Sequence, residues 1–238
     1  ISLTVYAQSY RFVNVYTNDE DEAFHQTVDV DIDSDGDQDL LMVTHYEIFL
    51  SINNNGVFQS DNTFKLHDVD YVKGIFVVDM DNDNDLDIVF ATFWSPGLVW
   101  MVNDGSLDWE SNFSDNITID DQRAHDLTVG DLDGDGDQDL ALITTDGHGV
   151  IYENNLNGTF TEHTFWDNGG LYNLDSYDVD GDGLYDIVTT SWQNSWITTF
   201  YNTGSYSFSN IDIYSESAAT LIGHADLDAD NDVDILYS

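Results

Sequence analysis

Aspartate recurs at alternate positions in five short stretches, and that spacing suits one kind of chemistry. The stretches read "DIDSDGDQD" from Asp31, "DMDNDNDLD" from Asp79, "DLDGDGDQD" from Asp131, "DVDGDGLYD" from Asp178 and "DLDADNDVD" from Asp226. Neighbouring carboxylates repel, and Asp and Gly are poor strand and helix formers, so folding alone does not favour the pattern. A hard cation removes the objection. Calcium takes about six to eight oxygen ligands, and carboxylates at alternating positions of a tight loop supply them.

Counting each stretch from 1 to 9, positions 1, 3, 5 and 9 offer side chains and position 7 offers a carbonyl. Leu184 at a position 7 therefore fits the scheme. The candidate ligands are Asp31, Asp33, Asp35, Asp37 and Asp39; Asp79, Asp81, Asp83, Asp85 and Asp87; and Asp131, Asp133, Asp135, Asp137 and Asp139. The fourth and fifth stretches add Asp178, Asp180, Asp182, Leu184 and Asp186, then Asp226, Asp228, Asp230, Asp232 and Asp234. Position 6 must turn sharply, which suits Gly36, Gly136 and Gly183, or Asn84 and Asn231. A helical EF-hand would need Glu at position 12, where this chain has Met42, Phe90, Leu142, Thr189 and Tyr237. Magnesium holds its waters too firmly to be the better fit. About five calcium ions, one per stretch and mainly structural, are expected.

Composition narrows the partners. Against 47 acidic residues stand 4 basic ones, a net charge of −43, which argues against nucleic acid and against anionic membranes. Only 7 of the acids are Glu, so the excess is loop-forming aspartate rather than a generally acidic surface. With no cysteine there is neither a disulfide framework nor thiol chemistry. No run has transmembrane length, and no signal-peptide pattern occurs, so membrane insertion is not expected. An acidic, lysine-poor chain suits a salty exterior, and a secreted or cell-surface setting is expected.

The elements that must hold the loops follow from their period. Loop starts are separated by 48, 52, 47 and 48 residues, and each loop lies between two strand-like runs, such as "IFVVDM" before and "DIVFA" after. Two more strands follow in "IFLSINNNGVFQ", "LVWMVNDGSLDW", "VIYENNLNGTFTEHTF" and "WITTFYNTGSYSFSNIDI", with Gly and Asn marking a hairpin turn in each. A repeat is then four antiparallel strands, A to D, the size of one β-propeller blade. The last repeat stops after strand B, and the first residues, "ISLTVYAQSYRFVNVYTND", align with strands C and D. The chain reads as a single all-β domain, 1–238: a five-bladed propeller whose N-terminal C and D strands join its C-terminal A and B strands, leaving no open sheet edge.

The loops, the Asp-Leu or Asp-Ile strands after them and "NLNGTF" at 155–160 resemble FG-GAP/VCBS repeats, the calcium-loop blades of integrin α-chains and of many secreted microbial proteins. The resemblance implies calcium, a propeller and an extracellular location. It implies no single activity, since such propellers include lectins, lyases and adhesion modules. Five blades rather than seven, and few "FG" or "GAP" signatures, keep integrin-type partner binding from being carried over.

By analogy with other propellers, ligands bind at the face opposite the calcium loops, built by the B–C and D–A connections. The B–C connections carry His45, Tyr46, Phe93, Trp94, His148, Trp192 and Trp196. The D–A connections and starts of strand A carry His25, His67, Lys73, Arg123, His125 and Tyr172. Two of the four basic residues and five of the seven histidines thus share a face that aspartate does not dominate. Aromatic rings offer flat apolar surfaces to sugar C–H groups, and His, Lys and Arg suit carboxylate or sulfate. A ring such as Phe93, at the end of an apolar strand, equally suits packing between blades. "SWQNSW" at 191–196 sets two rings beside amides in one turn.

Three readings share these residues. The first is a calcium-stabilised, lectin-like module for carbohydrate, with an acidic polysaccharide as the expected partner and His25, His45, Tyr46, Trp94, His148, Trp192 and Trp196 as ligand-binding candidates. The second is a lyase for uronate-containing glycans, in which His125 or Tyr172 abstracts the C5 proton while Arg123 or Lys73 neutralises the carboxylate. A glycoside hydrolase using Asp126 and Asp175 is a variant of it. The third is a protein-interaction or adhesion module. His45, Phe93, Thr145 and Trp192 differ at equivalent positions, which points to one asymmetric site rather than a pocket repeated in every blade.

Overall fold

The computed structural model describes residues 24–94, 96–106, 108–109, 113, 116–191, 196–214, 221–225 and 233–237. Two compact units hold them, the first with β1–β4 and the second with β5–β18. The first unit is an antiparallel sheet ordered β1 (Gln26–Val30), β2 (Asp39–Val43), β3 (Glu47–Asn53), β4 (Phe58–Asp68). The second repeats that plan three times: β5 (Val72–Val78), β6 (Asp87–Thr92), β7 (Leu98–Met101), β8 (Asn116–Asp120); β9 (Ala124–Gly130), β10 (Asp139–Thr144), β11 (Gly149–Asn154), β12 (Phe160–Trp166); and β13 (Leu171–Tyr177), β14 (Asp186–Ser191), β15 (Trp196–Asn202), β16 (Phe208–Tyr214). An antiparallel pair, β17 (Leu221–Ala225) with β18 (Asp234–Tyr237), follows.

Each sheet keeps sequence order, as four-stranded repeats predict, and β17–β18 falls where the A–B pair of a fifth is expected. Its expected C and D strands fall on residues 1–23 and its calcium loop on 226–232, outside the described residues. One expectation fails in its detail. "LVWMVNDGSLDW" does not form a C–D hairpin: β7 stops at Met101 and β8 begins only at Asn116. The longer connection accounts for the 52-residue interval of that repeat.

Packing explains why the second strands β6 and β10 read as largely apolar runs and why β14, after Asp186, keeps only small Thr and Ser among its apolar residues. β6, β10 and β14 are buried at every residue, because both of their faces are covered. In β10, side chains alternate between two cores. Leu140 and Leu142 join Val89, Ala91 and Trp100 of the preceding sheet. Ala141 and Ile143 join Leu171, Leu174 and Ile187 of the following one. The outer strands β8 and β12 are more open and more polar. Where β5 approaches β9, a Cβ on Gly74 would lie 2.8 Å from Cβ of Leu127, so only glycine allows the two first strands to pack so closely.

Candidate functional site

At one end of each four-stranded sheet, the loop between the first two strands brings three carboxylates together. Asp31, Asp33 and Asp39 place ligand oxygens within 4.8 Å of one another, and so do Asp79, Asp81 and Asp87; Asp131, Asp133 and Asp139; and Asp178, Asp180 and Asp186. These are positions 1, 3 and 9. Position 6 makes the predicted turn, with φ of +95° at Gly36, +75° at Asn84, +96° at Gly136 and +94° at Gly183. That turn folds the loop back, so position 1 accepts the position-6 amide: Gly36 N to Asp31 Oδ2 is 3.0 Å and Gly136 N to Asp131 Oδ2 is 3.1 Å.

Position 5 plays a different part. Asp35, Asp83, Asp135 and Asp182 each accept the position-7 amide, and none belongs to the converging trio. In the fifth stretch Asp226, Asp228, Asp230 and Asp232 lie outside the described residues, and Asp234 begins β18.

Burial and crowding make these loops unfavourable places for bare carboxylate charge. Burial pushes Asp39 and Asp87 up to about 6 and Asp139 up to about 7, against the backbone amides they accept. Burial, then Asp135 and Asp139, push Asp137 up to about 7. Asp31 Oδ1, Asp81 Oδ1 and Asp137 Oδ1 are buried without a hydrogen-bond partner. Unpaired buried oxygens at alternate loop positions fit a hard, oxygen-seeking cation such as calcium.

The opposite end of the sheets in the second unit is chemically different. There the chain around β5, β6, β9 and β13 gathers Tyr71, Lys73, Phe93, Trp94, Arg123, His125 and Tyr172. Backbone bonds fix the frame: Phe93 N to Tyr71 O is 2.8 Å and Thr145 N to Arg123 O is 2.9 Å. Lys73 Nζ lies 4.8 Å from the centre of the Tyr71 ring and 5.2 Å from that of Phe93. Arg123 Cζ lies 5.3 Å from the Trp94 ring centre, and Phe93 meets Trp94 edge-on at 4.9 Å. His125 continues the cluster, 5.7 Å from Phe93 and 4.8 Å from Tyr172. Tyr71, Trp94 and Tyr172 are exposed.

The charges in this patch stand out in so acidic a chain. Lys65, in the first unit, is neutralised by Glu47 at 2.7 Å and Asp68 at 2.6 Å. Among the described residues, neither Lys73 nor Arg123 forms an ion pair, and both rest on aromatic faces instead. Burial, with Lys73 next in importance, lowers the His125 imidazole below its ordinary value, and its Nδ1 is buried without a partner.

The remaining candidates are dispersed. His25 and His45 pair with each other in the first unit, with ring nitrogens 2.7 Å apart and Tyr46 6.1 Å from His45. His67 Nδ1 contacts its neighbour's carbonyl, Asp68 O. His148 lies 4.0 Å from Asp167, and Trp196 is exposed at the start of β15. Trp192 lies outside the described residues. Asp126 and Asp175 are both engaged: Asp126 accepts from Leu127, Asn173 and Leu174, and Asp175 pairs with His224 at 3.0 Å. They act as braces between strands rather than as an open pair of catalytic carboxylates.

Comparison with known proteins bears on the loops first. The FG-GAP-like repeat matches residues 31–90, 79–142 and 131–189, and each match runs from one aspartate loop into the strands beyond the next. The chain belongs to the FG-GAP-like repeat family. No curated protein matches it. Among solved structures it is similar to one on specific recognition of non-reducing terminal N-acetylglucosamine by an Agrocybe aegerita lectin. That likeness has a TM-score of 0.57 at 18% identity and covers 89% of this chain and 60% of the other. A second similar structure is BBS1N in complex with ARL6DN, soaked with lead, with a TM-score of 0.53, 12% identity and coverage of 83% and 58%. The chain thus spans about 60% of the length of these relatives, and the likeness is one of fold.

The FG-GAP-like loops depend on residues that sequence reading passed over. Asn53, Asn103, Asn154 and Asn202, each closing the third strand or just beyond it, look like turn residues. Each instead donates its backbone amide to the position-9 aspartate, at 2.7, 2.7, 2.9 and 2.8 Å in turn. The other oxygen of that aspartate accepts the position-2 amide from Ile32, Met80, Leu132 or Val179. The available signal was an asparagine recurring 14, 16, 15 and 16 residues after the last aspartate of the loop.

Proposed function

We propose that this chain is a calcium-stabilised, extracellular five-bladed propeller that recognises carbohydrate, with an acidic polysaccharide as ligand. Calcium would be held by positions 1, 3 and 9 of each loop, where it cancels carboxylate repulsion and ties the first two strands of a blade together. The ligand site is the patch of Tyr71, Lys73, Phe93, Trp94, Arg123, His125 and Tyr172. One observation carries this reading: in a chain of net charge −43, Lys73 and Arg123 are held on aromatic rings and not on carboxylates. Exposed rings stack on sugar C–H faces, and unneutralised cations beside them select carboxylate or sulfate substituents. The FG-GAP-like repeats and the fold shared with a lectin support the carbohydrate class.

The test is direct binding of uronate-rich polysaccharides to the calcium-loaded protein by calorimetry. Binding that weakens about tenfold in Trp94→Ala and Arg123→Ala, each retaining its melting temperature, supports the site. Unchanged affinity in both variants would remove it.

The state of His125 favours a second reading, a lyase acting at the same patch. A neutral imidazole with Lys73 nearby suits abstraction of the proton next to a uronate carboxylate. In that reaction His125 takes the C5 proton, the C4–O bond breaks and a C4=C5 double bond forms. Tyr172 then returns a proton to the departing oxygen, while Lys73 and Arg123 bear on the carboxylate. Unsaturated product absorbs in the ultraviolet, so a flat trace during incubation with a bound glycan would leave the recognition reading standing alone.

A further inference from the structure

We propose that the aspartate loops of the second unit do not load independently: Asn154 and Asn202 position the loop of the preceding blade as well as their own. This rests on the calcium reading above. The observation behind it is a set of hydrogen bonds that meet on the backbone of one residue between the loops. Asn154 N donates to Asp139 Oδ1 at 2.9 Å, and its side-chain Nδ2 donates to Met80 O at 2.7 Å. Met80 N in turn donates to Asp87 Oδ2 at 3.0 Å. Asp139 and Asp87 are the position-9 members of consecutive converging trios. One asparagine therefore joins two candidate metal sites.

The arrangement repeats at the next junction. Asn202 N donates to Asp186 Oδ1 at 2.8 Å, Asn202 Nδ2 to Leu132 O at 2.6 Å, and Leu132 N to Asp139 Oδ2 at 3.0 Å. Three loops are linked in series, from Asp87 through Asp139 to Asp186.

Two features make the relay rigid enough to transmit occupancy. Every member is out of solvent: Asp87, Asp139, Asp186, Met80, Leu132, Asn154 and Asn202 are all buried. Hydrogen bonds in such surroundings are not exchanged for water and reinforce one another. The amides are also fully committed. The second bond from Asn154 Nδ2 goes to Gln138 O at 3.1 Å, and its Oδ1 accepts Leu156 N at 2.9 Å. Asn202 bonds Tyr185 O and Gly204 N in the same way. A cation that fixes Asp139 therefore fixes the Asn154 amide, and with it the backbone of Met80, whose carbonyl Asn154 holds and whose N–H Asp87 accepts. Simple packing residues would brace the blades without connecting the loops.

The test reads each loop separately during a calcium titration of the whole chain, using NMR signals of loop amides. Asn84 reports the loop at 79–87, Gly136 the loop at 131–139 and Gly183 the loop at 178–186, since each donates to position 1 of its own loop. Asp81→Asn weakens the first of these loops. In otherwise native protein it should shift the Gly136 midpoint to higher calcium by about fivefold or more. In Asn154→Ala, adding Asp81→Asn should leave the Gly136 midpoint where Asn154→Ala alone puts it. Asn154→Asp, which keeps the backbone donor and loses the side-chain one, carries the same test should the alanine variant fail to fold. Equal shifts in both backgrounds, or none in either, would overturn the coupling while leaving calcium binding intact. Absence of any calcium response at all three amides would remove the calcium reading itself.

Discussion

The two ends of the second unit's sheets obey different rules. At the loop end, three successive sheets carry the same trio of aspartates, the same turn at position 6 and the same asparagine bond to position 9. At the other end, equivalent places in the sequence are filled by Lys73, His125 and Tyr172, and by Phe93, Thr145 and Trp192. Repetition marks what every blade needs in order to fold. Divergence marks what the molecule uses once. The function proposed above accordingly assigns ligand recognition to the varied end and stability to the repeated one.

The largest expected effect lies at the repeated end. Removing calcium with a chelator should lower the melting temperature by about 10 °C or more, because several sites each lose the stabilisation of a bound ion. An unchanged melt in EDTA would sink the structural role of the loops. Next in size is Asp87→Ala, which strands the buried amides of Met80 and Asn103. It should cost about 2–4 kcal/mol in denaturant unfolding and leave glycan affinity unchanged at saturating calcium.

A smaller effect separates the braces from both ends. Burial, opposed by the amides of Leu174 and Asn173, pushes Asp126 up to about 6. Its folded value lies above the ordinary 3.8, so folding favours the protonated carboxyl. The stability it contributes is complete below about pH 4 and is lost as pH rises through 6. Carbon-detected NMR should find the Asp126 carboxyl titrating near 6; a midpoint near 4 would refute the burial argument. Smallest of all is Lys65→Ala. Two carboxylates hold this amine, yet it is exposed, so its loss should change stability by no more than about 0.5 kcal/mol. A cost several times larger would undo the contrast drawn between Lys65 and the unneutralised Lys73 and Arg123.

Much of this was legible in the residues because period and spacing carry it. Five aspartate stretches at nearly constant intervals dictate four-stranded repeats, and strand order alone sends Lys73, Trp94, Arg123, His125 and Tyr172 to the end away from the loops. Contacts between repeats were less visible. Asn154 and Asn202 look like hairpin residues, because their side-chain bonds reach a carbonyl more than seventy positions earlier for Met80 and seventy for Leu132. Tyr71 gave no sign either. Its φ of +67° and its place under Lys73 come from how one repeat ends and the next begins. The hairpin expected in "LVWMVNDGSLDW" failed for a similar reason, since Asn and Gly mark a turn without fixing how soon the partner strand returns.

The division between the two ends is tested most directly by measuring uronate-polysaccharide binding and thermal unfolding together, at saturating calcium, for Arg123→Ala and Asp81→Asn. Arg123→Ala should lose about tenfold in affinity with its melting temperature unchanged, and Asp81→Asn should melt several degrees lower while binding as tightly as the native chain. Native affinity in Arg123→Ala, with weakened binding in the folded Asp81→Asn protein, would place recognition at the aspartate loops and contradict the account.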